Sequence, residues 1–558
     1  MEAAREGLTV LDTRDDRLFP VLNAAQIARI GPHGRVRRVE RGEVLAEPGA
    51  SNRPVFVIVT GGLEIVRGTP KGDGIVAALG PGQFTGEASM LSGRRGLVRI
   101  RAVESGEVIE VDLEHLLTLV QTDSAVGEVL LRAFILRLVE LREREVGDVV
   151  LMGSNHSAGT LRVKEFLARN GHPYSYVDLD DSTDAQEMLD RFKISAADVP
   201  VLICQGNVVL RNPTNQQIAS CLGFNDTIDR TQLRDVVIVG AGPAGLAAAV
   251  YAASEGLDAL VLESNAPGGQ AGASSKIENY LGFPTGISGE DLASAAYTQA
   301  QKFGAKILVA TGAVKLACAR KPFAIQVDNG THIPARTVII ATGAEYRKLS
   351  LDNVSQFEGA GVYYGATNME AQLCRGEEVI VVGGGNSAGQ AAVYLAETTK
   401  RVLMLVRSGG LAETMSRYLI RRIEQHPLIE LRTRSEIVAL EGDDHLERVG
   451  WRDNASGKTE TRSIRHVFVM AGAVPNTHWL ETCLTLDPKG FIKTGSDLSR
   501  EELTAAKWPL SRPPHLLETS LPGVFAVGDV RGGNFKRVAP AVGEGSIAIA
   551  LVHQVLHE

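Results

Sequence analysis

Residues 236–263 read VVIVGAGPAGLAAAVYAASEGLDALVLE, an apolar run that breaks into a glycine-rich turn and resumes as an alanine-rich helical pattern. The spacing has a physical reading. Gly240 permits a tight strand-to-helix turn, Gly242 lets the backbone approach a pyrophosphate, and Gly245 lets the helix pack closely on the strand, which leaves the phosphates at the helix N-terminus with Pro243 and Ala244 in its first turn. Glu263 closes the next apolar run, 23 residues beyond Gly240, where a carboxylate accepts from a ribose hydroxyl. A glycine triplet alone is a weak signal. Strand, helix, second strand and terminal acid in succession predict a dinucleotide site.

A second such turn stands at residues 378–389, EVIVVGGGNSAG, where Gly383, Gly385 and Ala388 repeat the spacing around Asn386 and Ser387, 143 residues after the first. Two turns in one segment imply two dinucleotides. Their strand ends distinguish the ligands: Glu263 suits a free 2′-hydroxyl, whereas Val406 is followed by Arg407 and Ser408, with no acid to repel a 2′-phosphate. The first turn is therefore assigned to an FAD-type dinucleotide and the second to NADPH, with NADH as the alternative.

Composition bounds the remaining classes. The 558 residues are 44% hydrophobic with a mean hydropathy near zero, which predicts three or four domains with ample core and no membrane span. The start, MEAAREGLTVLDTRDD, lacks the apolar run of a secretory signal, so a cytoplasmic location is expected. A net charge of −8 without a basic run argues against nucleic acid and for small molecules or proteins as partners. Cys204, Cys221, Cys318, Cys374 and Cys483 include no CxxC pair, so they read as small packed residues rather than a disulfide framework, zinc site or redox dithiol.

Ahead of the dinucleotide turns, residues 36–111 alternate short β-rich runs with glycine, as in a barrel or roll, and Leu130, Leu131, Phe134, Leu138 and Leu141 then form a helical stripe. This order resembles the cyclic nucleotide-binding domain. Gly86 and Glu87 in PGQFTGEASML fall on that family's ribose-binding pair. The cassette arginine is missing: counting back from Ala102 puts Gly96 in its place, with Arg95 one position early and Leu97-Val98 replacing the usual small pair. Degenerate or altered ligand binding is expected ahead of ordinary cAMP binding, with Arg95 or Arg99 as the substitutes within reach.

Residues 146–228 switch to a βαβ pattern that resembles a thioredoxin or glutaredoxin fold, with Val199-Pro200 at that family's cis-proline position. The active-site CxxC is replaced by Ser157-Ala158-Gly159-Thr160. Hydroxyls cannot exchange a disulfide, which needs a thiolate, so a docking or spacer role is expected.

From residue 234 onward the chain resembles the thioredoxin reductase class of pyridine-nucleotide flavoproteins, through Gly268-Gly269-Gln270, Glu278-Asn279, Ala341-Thr342-Gly343, GAVPN at 472–476 and Gly528-Asp529. The resemblance implies that Gln270, Asn279 and Val314 contact FAD, that Asp529 takes its ribitol, and that Lys536, Arg537 and Val538 approach the flavin. It also implies a homodimer through the FAD unit. The whole chain is then a multidomain β and α/β protein: a roll with its helix at 1–145, a thioredoxin-like unit at 146–228, an FAD-binding unit split between 229–348 and 475–558, and a Rossmann-like NAD(P)H unit inserted at 349–474. One departure decides the chemistry. The positions of that family's redox cysteines are Gly365 and Asn368. Arg407 alone survives of its phosphate clamp, and Arg417, Arg421 and Arg422 read as a solvated helix face. The expected activity is an FAD-dependent NAD(P)H oxidoreductase with an external acceptor such as a redox protein. The alternatives are a nucleotide- or redox-responsive flavoprotein sensor, and a thioredoxin reductase using cysteines that assemble only in space.

Overall fold

Runs rich in valine and isoleucine between residues 35 and 111 fold into one antiparallel sheet, because branched side chains suit a pleated, half-buried surface. The computed structural model describes residues 15–69, 72–143, 149–154, 157–179, 198–204, 208–225, 228–443, 445–480 and 483–558. In the first sheet β1 (Arg35–Val39), β2 (Val44–Ala46), β3 (Val55–Thr69), β4 (Gly72–Leu79) and β5 (Arg99–Val111) run in the order β1-β5-β3-β4, with β2 also on β5. Strand β3 is buried on both faces: Phe56 and Ile58 fill the roll, while Val55 and Val57 pack beneath Phe134. Helix α1 (Leu113–Thr122), capped by Asp112, leads into α2 (Ser124–Glu143), whose Leu130, Phe134 and Leu141 are buried.

The second unit comprises β6 (Val149–Gly153), α3 (Ala158–Arg169), β7 (Ser175–Asp178), β8 (Val201–Cys204), β9 (Val208–Arg211) and α4 (Asn215–Cys221). Its sheet order is β7-β6-β8-β9, parallel only between β6 and β7. The helical pattern expected between β7 and β8 lies mostly outside the described residues. Ser157 caps α3, the Val199–Pro200 bond is cis, and a Cβ on Gly159 would sit 2.9 Å from Pro200 Cδ.

The third unit carries the opening motif. Strands β10 (Arg234–Val239), β11 (Ala259–Leu262), β12 (Lys306–Leu308), β13 (Ala313–Ala317), β14 (Phe323–Val327) and β15 (His332–Ile340) lie in the order β12-β11-β10-β15-β14-β13, and Val524–Ala526 adds a parallel strand beside β15. Helices α5 (Pro243–Ser254) and α6 (Gly289–Lys302) cover one face. The chain leaves this unit through Ala344–Tyr346 and returns through Ala473–Pro475, which pair antiparallel. Between them, β16 (Val362–Tyr363), β17 (Glu378–Val382), α7 (Asn386–Leu395), β18 (Arg401–Val406), β19 (Ile429–Thr433) and β20 (His466–Val469) build a parallel sheet in the order β16-β20-β17-β18-β19. The last helix, α8 (Val538–His557), is long and apolar enough to cross a membrane. Its Ala541, Gly545, Ala548, Ile549 and Val552 are nonetheless buried in the core on α5, where a Cβ on Gly545 would meet Ala244 O at 2.1 Å.

The units are fastened to one another. Arg94, from the loop after Glu87, is buried over the Phe224 ring at 4.1 Å and donates to Asn170 O at 2.9 Å and to Tyr297 Oη at 2.8 Å on α6. Asn225 exchanges two hydrogen bonds with the Val309 backbone. At the far side, Gly359 (φ +77°) approaches Ala158 so closely that its Cβ would lie 2.7 Å from the alanine methyl. Arg422 lies on an exposed helix face, as expected, and from there pairs with Glu278 at 2.7 Å across the gap between the nucleotide-binding and FAD-type units.

The cysteine expectation is also corrected. Cys204 and Cys374 are buried and outside any disulfide, but Cys318 and Cys483 form a disulfide across 165 residues, hidden from spacing arguments because the intervening chain includes the whole inserted unit. By loop-closure entropy a separation of 165 residues corresponds to roughly 5 kcal/mol, the upper end of what such a bridge contributes. Cys318→Ser should therefore lower the melting temperature of the full chain, measured without reductant, and dithiothreitol should lower it equally in the parent protein.

Candidate functional site

Strand β10 ends at Val239 and the chain turns at Gly240 with φ +106°, a conformation that favours glycine. A Cβ there would lie 2.4 Å from Ala341 O, and one on Gly245 would lie 1.9 Å from Gly240 O. Both glycines are required for α5 to sit directly on β10. Gly242 caps α5 and Pro243 opens it, so the helix presents its first-turn N–H groups to the space beyond the strand. Glu263, at the end of β11, accepts from Ala241 N and Asn265 N, each at 2.8 Å. Burial pushes its carboxyl upward in pKa, and those two N–H groups and the Arg169 charge oppose the shift.

These elements border a groove of 920 Å³, within the range of cofactor sites. The structure brings Gly240, Gly242, Pro243, Ala244, Glu263, Gly269, Gln270, Asn279, Ala341, Thr342, Gly343, Asp529, Lys536, Arg537 and Val538 to its walls, with Gly245 beneath them. Thr342 Oγ1 donates to Asn476 O, and Asn476 Nδ2 returns a bond to Thr342 O, which ties the two chain crossings together at the groove floor. Burial raises the Asp529 carboxyl, and nearby Lys536 pulls it back while donating to the Asp529 carbonyl at 3.0 Å. Val314 is a correction: it is 45% exposed and does not line the groove, where Ala313 stands instead, because the register of β13 on β14 shifts between Ala313 and Lys315.

The second glycine turn faces the same space. Gly383 has φ +142°, with Met470 O where a Cβ would fall, and Gly385 has nothing within 4 Å of its Cβ position. Asn386 and Ser387 line the groove, while Arg407 and Ser408 lie exposed beyond β18, at the same C-terminal edge of the parallel sheet as the turn. Arg434 was not singled out in the sequence. It sits at φ +54°, donates its N–H to Ser408 O at 3.0 Å, and brings its Nε to 3.9 Å from the Cβ position of Gly409.

Three further contributors carry no local motif. From α3, Arg162 and Arg169 reach the groove, and Arg169 donates to Gly269 O at 2.8 Å. On α8, Glu544 accepts from Gly528 N at 2.7 Å and so fixes the Gly528-Asp529 turn. Gly365 lines the groove 3.9 Å, by its Cβ position, from the Ala273 methyl, and Asn368 opens the helix Asn368–Leu373. No cysteine lines this groove among the described residues. Cys374 lies in the core of the inserted unit, its thiol pushed up to about 12 by burial.

In the N-terminal roll, Gly86 (φ +111°) packs against Phe134, and Glu87 accepts from Ser89 N and Oγ. Arg95 does not take the cassette position. It donates to Cys221 O at 3.4 Å across to α4, and Arg99, the first residue of β5, pairs with Glu47 at 2.8 Å.

Two glycine turns opening on one groove, with an acid ending one strand and arginines beside the other, define a flavoprotein that binds two dinucleotides. The family model for pyridine nucleotide-disulphide oxidoreductases matches residues 234–545, and the chain belongs to that family. The cyclic nucleotide-binding domain model matches residues 36–123. Thioredoxin reductase of Treponema pallidum is 34% identical over 314 residues, 56% of this chain and 94% of that protein. The Bacillus subtilis thioredoxin reductase is 30% identical over 59% and 96% respectively. Among solved structures, the thioredoxin reductase of T. acidophilum is similar at a TM-score of 0.52 and 30% identity, covering 59% of this chain and all of that one. The protein is thus an FAD-dependent NAD(P)H oxidoreductase of thioredoxin reductase type, with an N-terminal cyclic nucleotide-binding domain.

The backbone contact at Gly245 is the most demanding feature of the groove. Gly245→Ala should force α5 off β10 at a cost of roughly 1–3 kcal/mol, and the purified variant should carry less flavin per chain, read from absorbance after denaturation.

Proposed function

We propose that this oxidoreductase delivers electrons to an acceptor outside the chain without an active-site disulfide. The observation that carries this reading is Gly365: the groove wall has glycine where the thioredoxin reductases place a redox cysteine, and no thiol lines the groove among the described residues. The Cys318–Cys483 bridge is the one assembled pair among the described cysteines, and neither member touches the groove. FAD, when bound, supplies the two-electron chemistry between nicotinamide and acceptor.

The chain's own residues would bind and orient. The turn from Gly240 to Gly245 and the N-terminus of α5 would hold the diphosphate, Glu263 the adenosine ribose, and Asp529 the ribitol, kept in place by Glu544 through Gly528. Lys536, Arg537 and Val538 would border the flavin ring. Asn386 and Ser387 would meet the nicotinamide nucleotide. Arg407, with Arg434 beside Ser408, would receive a 2′-phosphate, which favours NADPH over NADH.

A second reading rests on Arg94. Buried between the roll, Asn170 and Tyr297, it joins the nucleotide-binding loop of the first domain to the FAD-type unit, as a flavoprotein sensor would require. Titrating cAMP or cGMP while following NADPH oxidation tests it; a rate unchanged at saturating nucleotide would dismiss it.

Two outcomes are expected for the principal reading. The purified protein should oxidise NADPH with ferricyanide while failing to reduce thioredoxin when no thiol is added; thioredoxin turnover at ordinary enzymatic rates would overturn the proposal. Arg407→Ala and Arg434→Ala should each raise KM for NADPH roughly tenfold and leave KM for NADH nearly unchanged in steady-state assays.

A further inference from the structure

The cassette of the first domain lacks an arginine in its sequence but not in space. The loop before β3 runs beside it, with Gly49 N donating to Gly96 O at 2.8 Å and Gly96 N to Ala50 O at 3.0 Å. From this loop Arg53 reaches inward. A Cβ built on Gly96 would lie 1.9 Å from Arg53 Cζ and 2.0 Å from its Nε. The guanidinium therefore stands where a side chain at position 96 would begin, and the glycine is what gives it room.

The surroundings of this guanidinium are short of negative charge. Arg53 is buried, with 5% of its side chain exposed; its nearest carboxylate is Glu87 at 3.9 Å, its Nη1 reaches Val98 O only at 3.4 Å, and its Nε has no hydrogen-bond partner. Arg137 enters from α2, donates through Nη1 to Gly86 O and Phe84 O, and leaves Nη2 without a partner in the interior. Glu87 is the carboxylate acting on both cations, and burial depresses both guanidiniums, Arg137 to about 9. Two buried cations around one carboxylate, each with an unsatisfied N–H, are the arrangement an anion would complete.

We propose that Arg53 is the phosphate ligand of a nucleoside cyclic monophosphate in this domain, supplied from the neighbouring loop in place of the arginine that Gly96 has displaced. Arg137 adds the second positive charge and holds the Gly86 carbonyl, and Glu87 remains available to the ribose. The assignment rests on the first domain being a nucleotide-binding one, for which the family match stands, and it specifies what the sequence pattern left vacant.

Calorimetric titration of the full-length, flavin-loaded protein with cAMP, cGMP, AMP and inorganic phosphate tests it. One cyclic nucleotide should bind at least roughly tenfold more tightly than AMP or phosphate, and Arg53→Ala should weaken it roughly tenfold or more, the scale of a lost charge-assisted fork. Flavin content and melting temperature verify that each variant folds, and Arg53→Lys, which keeps the charge but not the fork, should bind at an intermediate level if the alanine variant does not fold. Failure of the parent protein to bind any of the four ligands would overturn both the assignment and the nucleotide-binding reading of the domain. Cyclic nucleotide binding unaltered by Arg53→Ala or Arg53→Lys would overturn the assignment alone, as would equal affinity for inorganic phosphate.

Discussion

The contact between Gly245 and the Gly240 carbonyl sets the position of everything else in the flavoprotein. With α5 pressed onto β10 at a separation that no side chain permits, the N-terminus of the helix is fixed over the strand end, and the groove takes its shape from there. The Gly268-Gly269 turn lies on Gly242, Ala341 passes under Gly240, and α8 closes on Ala244 through Gly545. Each is a further backbone-to-backbone approach. The site is therefore rigid at its diphosphate end for the same reason that it is intolerant of substitution: packing at this density leaves no slack to absorb a methyl group.

What could be read from the sequence follows from how local its cause is. The two glycine turns, Glu263 and the parallel strands around them were legible because a turn, a strand end and an apolar run declare themselves within a few residues, whereas the split of the FAD-type unit came only from the family resemblance. Arg162 and Arg169 were not, since nothing near them in sequence points toward a groove built by residues 240–270. Glu544 reads as one charge on an otherwise apolar helix, and its role becomes visible only once Gly528 is beside it. Val314 failed by one position, at a register shift between β13 and β14 that no local pattern announces. The Cys318–Cys483 bridge was misread, and the Arg422–Glu278 pair could not be foreseen, because both depend on how an inserted unit returns to its parent.

The same distinction applies to the first domain. Counting along the cassette finds a glycine in place of a cation, and spacing can say no more than that. Side chains meet in three dimensions, and a loop that runs antiparallel to the cassette can fill the same point from the opposite direction. Loss of a residue from a motif is thus different from loss of its chemistry, and the difference is decided by what occupies the vacated volume. At Gly96 a guanidinium occupies it; at Gly365 no thiol does.

The junction between Gly359 and Ala158 couples the second unit to the inserted one. Ala158, in the first turn of α3, abuts the backbone of the inserted unit, with Gly359 at a positive φ that disfavours any side chain. A bulkier residue on either side would have to push two folded units apart. Substitution at either position would therefore act on the spacing of two folded units at once, and the start of α3 serves as a joint between them rather than as an open surface.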